Sequence, residues 1–182
     1  MRLNFFNNSD MKKIFKVGRL LIIPGGLFLI YLSCKRTRQY EKILSEKDEM
    51  IKKQEAALKT YEQWIGIYQQ GKKIEEYLQR NGYHSIALYG MGRIGKNLFD
   101  VISGTQMEVN YVVDRYLSMA DGYYRSVPCY NPKSVLPKTD LIIVTVSGEA
   151  DSILSQLSGC GSPVISIQRL IKQAADWEDK EE

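Results

Sequence analysis

Six residues in mid-chain, Gly90-Met91-Gly92-Arg93-Ile94-Gly95, have the types and spacing of an anion-binding turn. A first glycine permits a tight turn, a second leaves main-chain amides uncovered, and a third lets a helix press against a strand. A helix that starts there aims its first N–H groups and its dipole at an anion, a phosphate above all. Asp114 lies nineteen residues beyond Gly95, where an acid at the end of a second strand takes a ribose hydroxyl. Arg93 and Arg115 are placed to offset phosphate charge. Val146 and Ser147 end a later apolar run, at the edge where ligands of open α/β sheets bind. The candidate binding residues are therefore Gly90, Met91, Gly92, Arg93, Ile94, Gly95, Asp114, Arg115, Val146 and Ser147, and the ligand is NAD(P) or a nucleotide-sugar. The competing reading is a turn whose glycines only join a strand to a helix.

The flanking elements are the ones this chemistry requires. Ser85–Tyr89 is a short apolar strand, and Lys96–Ile102 has helical spacing. Val109–Val113 forms a second strand ending at Asp114. Val127–Tyr130 reads as an edge strand, where Pro128 is tolerated. Asn131-Pro132 has the pattern of a helix start, an N-cap followed by Pro at the first position. Leu141–Val146 is continuously apolar, as a buried parallel strand is. A helix over 150–157, a strand over 163–167 and a helix over 168–175 follow. These elements predict an α/β fold with a Rossmann-like parallel sheet of about five strands over residues 71–175, and an acidic tail over 176–182.

Other chemistry finds little footing. His84 is the only histidine and precedes the first strand, at the wrong end of the sheet for a ligand. Cys34, Cys129 and Cys160 have neither metal-site nor disulfide spacing. Cys129 reads as a small apolar filler more than as a nucleophile. No acid–base pair suggests itself, so no catalytic or metal residue is assigned. An NAD(P)-dependent reductase or epimerase completed by a partner remains the enzymatic alternative, and a ligand-free interaction module the structural one. Charge argues against nucleic acid. Residues 1–38 carry a balance of +7, residues 39–84 of zero and residues 85–182 of −3, together the +4 of the whole chain. Residues 85–182 therefore lack the basic excess that meets a phosphate backbone.

The positive charge gathers instead around Leu20–Cys34, a run with no charged residue. As a helix it is roughly 22 Å long at about 1.5 Å per residue, against a bilayer core of about 30 Å. Val17 and Gly18 extend it if Arg19 snorkels to the headgroups. Residues 1–38 are accordingly expected to be a single-pass anchor in the cell membrane, with the globular domain on the cytoplasmic side, where nucleotides are. A signal peptide starting at Met11, with a lipoprotein variant cut before Cys34, is a second reading. A buried or interfacial helix is a third.

Residues 36–70 read as one long helix, of which 39–70 form an amphipathic stalk. Tyr40, Tyr61 and Tyr68 share one heptad position with Lys47 and Gln54, and Ile43, Met50, Ala57 and Trp64 share another. Leu44, Ile51, Leu58 and Ile65 form a third line seven residues apart. The stripe fits a coiled-coil homodimer, though Lys47 and Gln54 interrupt its seam. Alternatively, it packs on the domain itself. A short helix over 72–81 follows, closed by Gly82.

With these motifs in place the chain resembles a known family. The stretches "QWIGIYQQGKKIEEYLQRNGYHSIALYGMGRIGKNLFD", "VNYVVDR", "VPCYNP", "DLIIVTV" and "PVISIQRLI", between residues 61 and 171, look like small Rossmann-like proteins of Gram-positive gut bacteria associated with capsule and surface-polysaccharide genes. The same fold resembles the nucleotide-sugar or CoA-binding part of sugar acetyltransferases. The resemblance implies a nucleotide in the loop, held through Gly90, Gly92, Gly95 and Asp114, without transfer chemistry of its own. It also implies a surface-polysaccharide biosynthesis enzyme as a partner. The hydrophobic anchor is a departure from the simplest members.

Overall fold

Alternation along Ser85–Tyr89 sends Ile86 and Leu88 to one face of a sheet and Ala87 and Tyr89 to the other, and all four are buried. A strand covered on both faces belongs at the centre of an α/β layer structure. The computed structural model places it there. It describes residues 8–117 and 122–177, with the side chains of 8–11, 13–15, 17–30 and 32 outside that description.

The elements in chain order are α1 (Asn8–Gln69), α2 (Ile74–Arg80), β1 (Ser85–Tyr89), α3 (Arg93–Ser103), β2 (Glu108–Val113), β3 (Tyr123–Tyr124), β4 (Val127–Tyr130), β5 (Leu141–Val144), α4 (Ala150–Gln156), β6 (Val164–Ser166) and α5 (Ile167–Asp176). The six strands lie in the order β3-β4-β2-β1-β5-β6. All neighbours are parallel except β3 and β4. The chain thus leaves β1 for β2 on one side and returns as β5 on the other. The strand order reverses between β1 and β5, and the carboxyl ends of these two strands frame the ligand crevice of such sheets.

The chain divides into two compact units, Met1–Met50 and Ile51–Glu182. The sequence places the start of the α/β domain at 71, whereas the second unit begins at Ile51, inside α1. The last turns of α1 are core: Trp64 and Ile67 are buried with Ile74 and Leu78 of α2, Leu98 and Ile102 of α3, and Leu170 and Ile171 of α5. Each such side chain contributes about 1.5–3 kcal/mol through burial, enough to make the end of α1 part of the domain. The opposite face of the sheet packs Tyr111, Ile142 and Val144 against Ile153 of α4 and Leu157 just after it. Helix α1 stops at Gly71, whose φ of +77° suits glycine. There the Lys72 N–H donates to the Ile67 carbonyl and the Gly71 N–H to that of Tyr68, a Schellman closure. The same pair of bonds after α2, from Tyr83 to Leu78 and from Gly82 to Gln79, bears out Gly82 as a stop signal.

Several expectations need correction. The sheet has six strands rather than about five, because Tyr123–Tyr124 pairs antiparallel with β4. Strand β4 is therefore not the edge. Pro128 is accommodated because pairing with β2 begins only at Cys129. No helix follows Asn131-Pro132. The Asn131 side chain accepts from the Lys133 N–H at 3.1 Å and its carbonyl from the Ser134 N–H at 2.9 Å, a single turn. A helix continued from there would put Pro137 in its interior, where the ring clashes with the preceding turn. Helix α1 starts well before residue 36. Among the described residues no helix is long and apolar enough to cross a membrane, so the expected anchor finds no support in the structure. Most of the apolar run at 20–34 falls on residues whose side chains lie outside the described ones. The acidic tail lies outside the described residues from 178 onward.

Candidate functional site

The glycine loop joins β1 to α3 at the reversal point, and its three glycines meet three different surroundings. Gly90 has a φ of +99°, which L side chains avoid, and a Cβ there would sit 2.5 Å from Val146 Cγ2. A Cβ on Gly95 would overlap the Gly90 carbonyl oxygen and lie 2.8 Å from Thr145 Oγ1. The protein's own packing thus dictates both residues. Gly92 is different. Its φ of −69° and ψ of −166° are ordinary extended backbone, and a Cβ built there would meet nothing within 4 Å. Gly92 is also the N-cap of α3, a position where Ser, Asp or Asn would bond a first-turn N–H, and no side chain caps it. The first bond within the helix runs from the Lys96 N–H to the Gly92 carbonyl at 3.0 Å. Helix geometry leaves the N–H groups of the turn before it without helical partners.

Two residues hold this loop. Asp114, at the end of β2, accepts from the Met91 N–H through Oδ2 at 3.0 Å. Its Oδ1 accepts from Tyr116 at 2.9 Å and Leu117 at 3.1 Å. Three of the roughly four lone-pair directions of the carboxylate are thereby taken, and the acid acts first as a brace between the loop and β2. Thr145, 5% exposed, sets its hydroxyl against the Gly90 carbonyl and 3.2 Å from that of Tyr89. In the sequence Thr145 reads as one more residue of an apolar strand. Its signal was a hydroxyl inside a run of Leu, Ile and Val.

The structure brings the predicted residues to one edge but gives them unequal roles. Met91 and Ile94 are 4% and 3% exposed and turn their side chains into the core, and the Met91 N–H is taken by Asp114. Arg93 and Arg115 are exposed. The Arg115 charge bears on Tyr89, whose hydroxyl is pushed up by burial and partly brought back by that cation. Val146 and Ser147 are half-buried at the end of β5. Cys129 is buried, and burial pushes its thiol up, which disfavours the thiolate a nucleophile needs. His84 lies at the amino end of β1, where its main-chain N–H donates to Asp140 Oδ2 at 3.0 Å.

Helix α1 also reaches this edge, which sequence reasoning did not foresee. Tyr61 Oη accepts from Asn97 Nδ2 at 2.9 Å in the first turns of α3. Lys53 Nζ lies 2.9 Å from Glu149 Oε1 in the loop after β5. No local signal marks Lys53, which lies on none of the three apolar lines of α1. Beside the site, an apolar groove of about 600 Å³ between α1 and α3 is lined by Tyr61, Trp64, Ile65, Tyr68, Asn97 and Val101, and includes none of the glycine-loop residues.

No protein-family model, curated protein or solved structure matches this chain.

Proposed function

We propose that the chain is a membrane-tethered nucleotide-binding accessory protein, with a nucleotide-sugar or dinucleotide in the crevice between the glycine loop and the end of β5. The observation that carries this reading is Gly92. Folding does not require a glycine there, since its backbone suits any residue and its surroundings would accept a side chain. A phosphate seated on the uncapped first turn of α3 would require one. Arg93 and Arg115 supply charge nearby, and Asp114 stands at the end of β2, where an acid would take a ribose hydroxyl.

The tether rests on the uncharged run at 20–34 and its basic flanks, and the cytoplasmic placement of the domain on the location of nucleotides. The surface-polysaccharide setting, with a biosynthetic enzyme as partner, rests on the family resemblance. Self-association through α1 is part of the same reading. Leu44, Ile51, Leu58 and Ile65, seven residues apart, are each at least half exposed, which suits the seam of a second copy. Cross-linking of the full chain in detergent should yield dimers that Leu58→Glu abolishes. A monomeric wild type would remove that element.

Thermal unfolding with UDP-sugars, NAD(H), NADP(H) and CoA tests the central proposal. A ligand at a hundred times its Kd stabilises the fold by about 2.7 kcal/mol, several degrees in Tm. A folded sample that none of them shifts would refute it.

A further inference from the structure

The ligand crevice has two lips, the first turns of α3 and the loop that follows β5. One stretch of α1 touches both. At its near end Lys53 pairs with Glu149, and its Cγ lies 3.7 Å from where a Gly148 Cβ would be. Eight residues on, Tyr61 accepts from Asn97. In a helix that interval is about 12 Å. Between the two contacts, the inward positions are the small, half-buried Ala56 and Ala57 and the buried Thr60. Thr60 in turn accepts from Gln168 Nε2 of α5 at 3.1 Å. The segment is thus fastened on three sides, to α3, to the β5–α4 loop and to α5.

We infer that residues 53–61 of α1 form a third wall of the nucleotide site, and that Lys53 exchanges Glu149 for a phosphate of the bound ligand. The inference rests on the nucleotide-binding reading and adds to it a residue and an element that no glycine-loop motif contains. Its chemistry is simple. A Lys ammonium on a flexible stem serves as a point charge for phosphate. Both members of the pair are about half exposed, the Lys53 side chain 45% and that of Glu149 56%. At that exposure the ion pair adds little to stability, so giving it up costs little. Glu149 beside the crevice repels an incoming phosphate while it holds the lysine in place. The two residues therefore act on ligand binding with opposite sign. An ordinary surface pair would not do so.

The test uses the full chain in detergent and titrates NAD and UDP-glucose, each by calorimetry, into wild type, Lys53→Met and Glu149→Gln. For whichever probe the wild type binds, Lys53→Met should weaken binding about tenfold, the scale of one charge-assisted contact. Glu149→Gln should tighten it about two- to fivefold on the same scale. The melting temperatures of the two variants should match the wild type. Unchanged affinity in Lys53→Met, or shifts of the same sign in both variants, would overturn the inference and leave the nucleotide-binding reading standing. A wild type that binds neither probe would refute both for these ligand classes.

Discussion

The Met91 amide donates to Asp114 Oδ2 at 3.0 Å, and this bond ties the glycine loop to the end of β2. It occupies the Met91 N–H, while the Met91 side chain fills the core beneath the loop. Asp114 thus shapes the glycine loop through the protein's own contacts. Asp114→Ala removes the acceptor from three N–H groups at once. Hydrogen bonds to a charged acceptor are worth about 1.5–3 kcal/mol each in favourable cases. Because Tyr116 and Leu117 are near solvent, the expected loss is about 2 kcal/mol for the variant, read from urea unfolding.

The three glycines should separate under the same substitution. Gly90→Ala forces a left-handed residue against Val146, and Gly95→Ala drives a methyl into the Gly90 carbonyl. Each should cost about 1–3 kcal/mol, as overpacking does. Gly92→Ala meets nothing and keeps an allowed backbone, so it should stay within about 0.5 kcal/mol of wild type. Urea unfolding of the three variants checks the pattern. Equal losses at all three positions would mean that Gly92 too is held by packing.

Much of this site was legible in the sequence because steric demands have few solutions. Glycines at 90, 92 and 95 between a strand and a helix fix where the loop lies, and the apolar runs at 85–89, 109–113 and 141–146 locate the three central strands, the last of which ends at Val144. What escaped notice was set by tertiary contacts. Trp64 lies on the apolar stripe of α1, but the stripe alone does not say whether the domain or a second copy covers it. Ile67 lies outside the named lines, and the Lys53–Glu149 pair joins positions far apart in the chain. The β3–β4 hairpin was missed for a different reason. Its two-residue turn needs positive φ at both central positions, usually met by Asn-Gly. Here Arg125 and Ser126 take φ of 46° and 75°. Arg125 is held by its ion pair with Asp100 and lies over the rings of Phe99 and Tyr124 at 5.8 and 5.6 Å.

That turn supplies its own prediction. A non-glycine residue in the left-handed region carries about 1–2 kcal/mol of strain. Ser126→Gly should therefore stabilise the fold by about 1 kcal/mol, offset in part by the greater freedom of glycine in the unfolded chain. A fall in Tm would show that the serine side chain contributes more than its backbone costs.

Asp140 should shape the acid limb of stability. Its carboxylate accepts from the Ser85 N–H at 2.8 Å and the His84 N–H at 3.0 Å, clamping the start of β1. These bonds, that of Ser85 foremost, hold its carboxyl below the ordinary range. A depressed pKa in the folded state means the contribution is complete above the unfolded value, about 3.9. It disappears as pH falls through the lower folded value. Tm measured from neutral pH down to about 2 should fall less steeply in Asp140→Asn than in wild type across that window. Identical acid limbs would exclude the clamp as a source of pH dependence.

The central claim is that Gly92 is kept clear for a phosphate, and Gly92→Val tests it most directly. Calorimetric titration of the wild type and this variant with NAD and UDP-glucose should show binding to the wild type by at least one of them. It should show none to a variant that melts at the wild-type temperature. Equal affinity in the two proteins would contradict the account, because a side chain would then stand where the phosphate was placed.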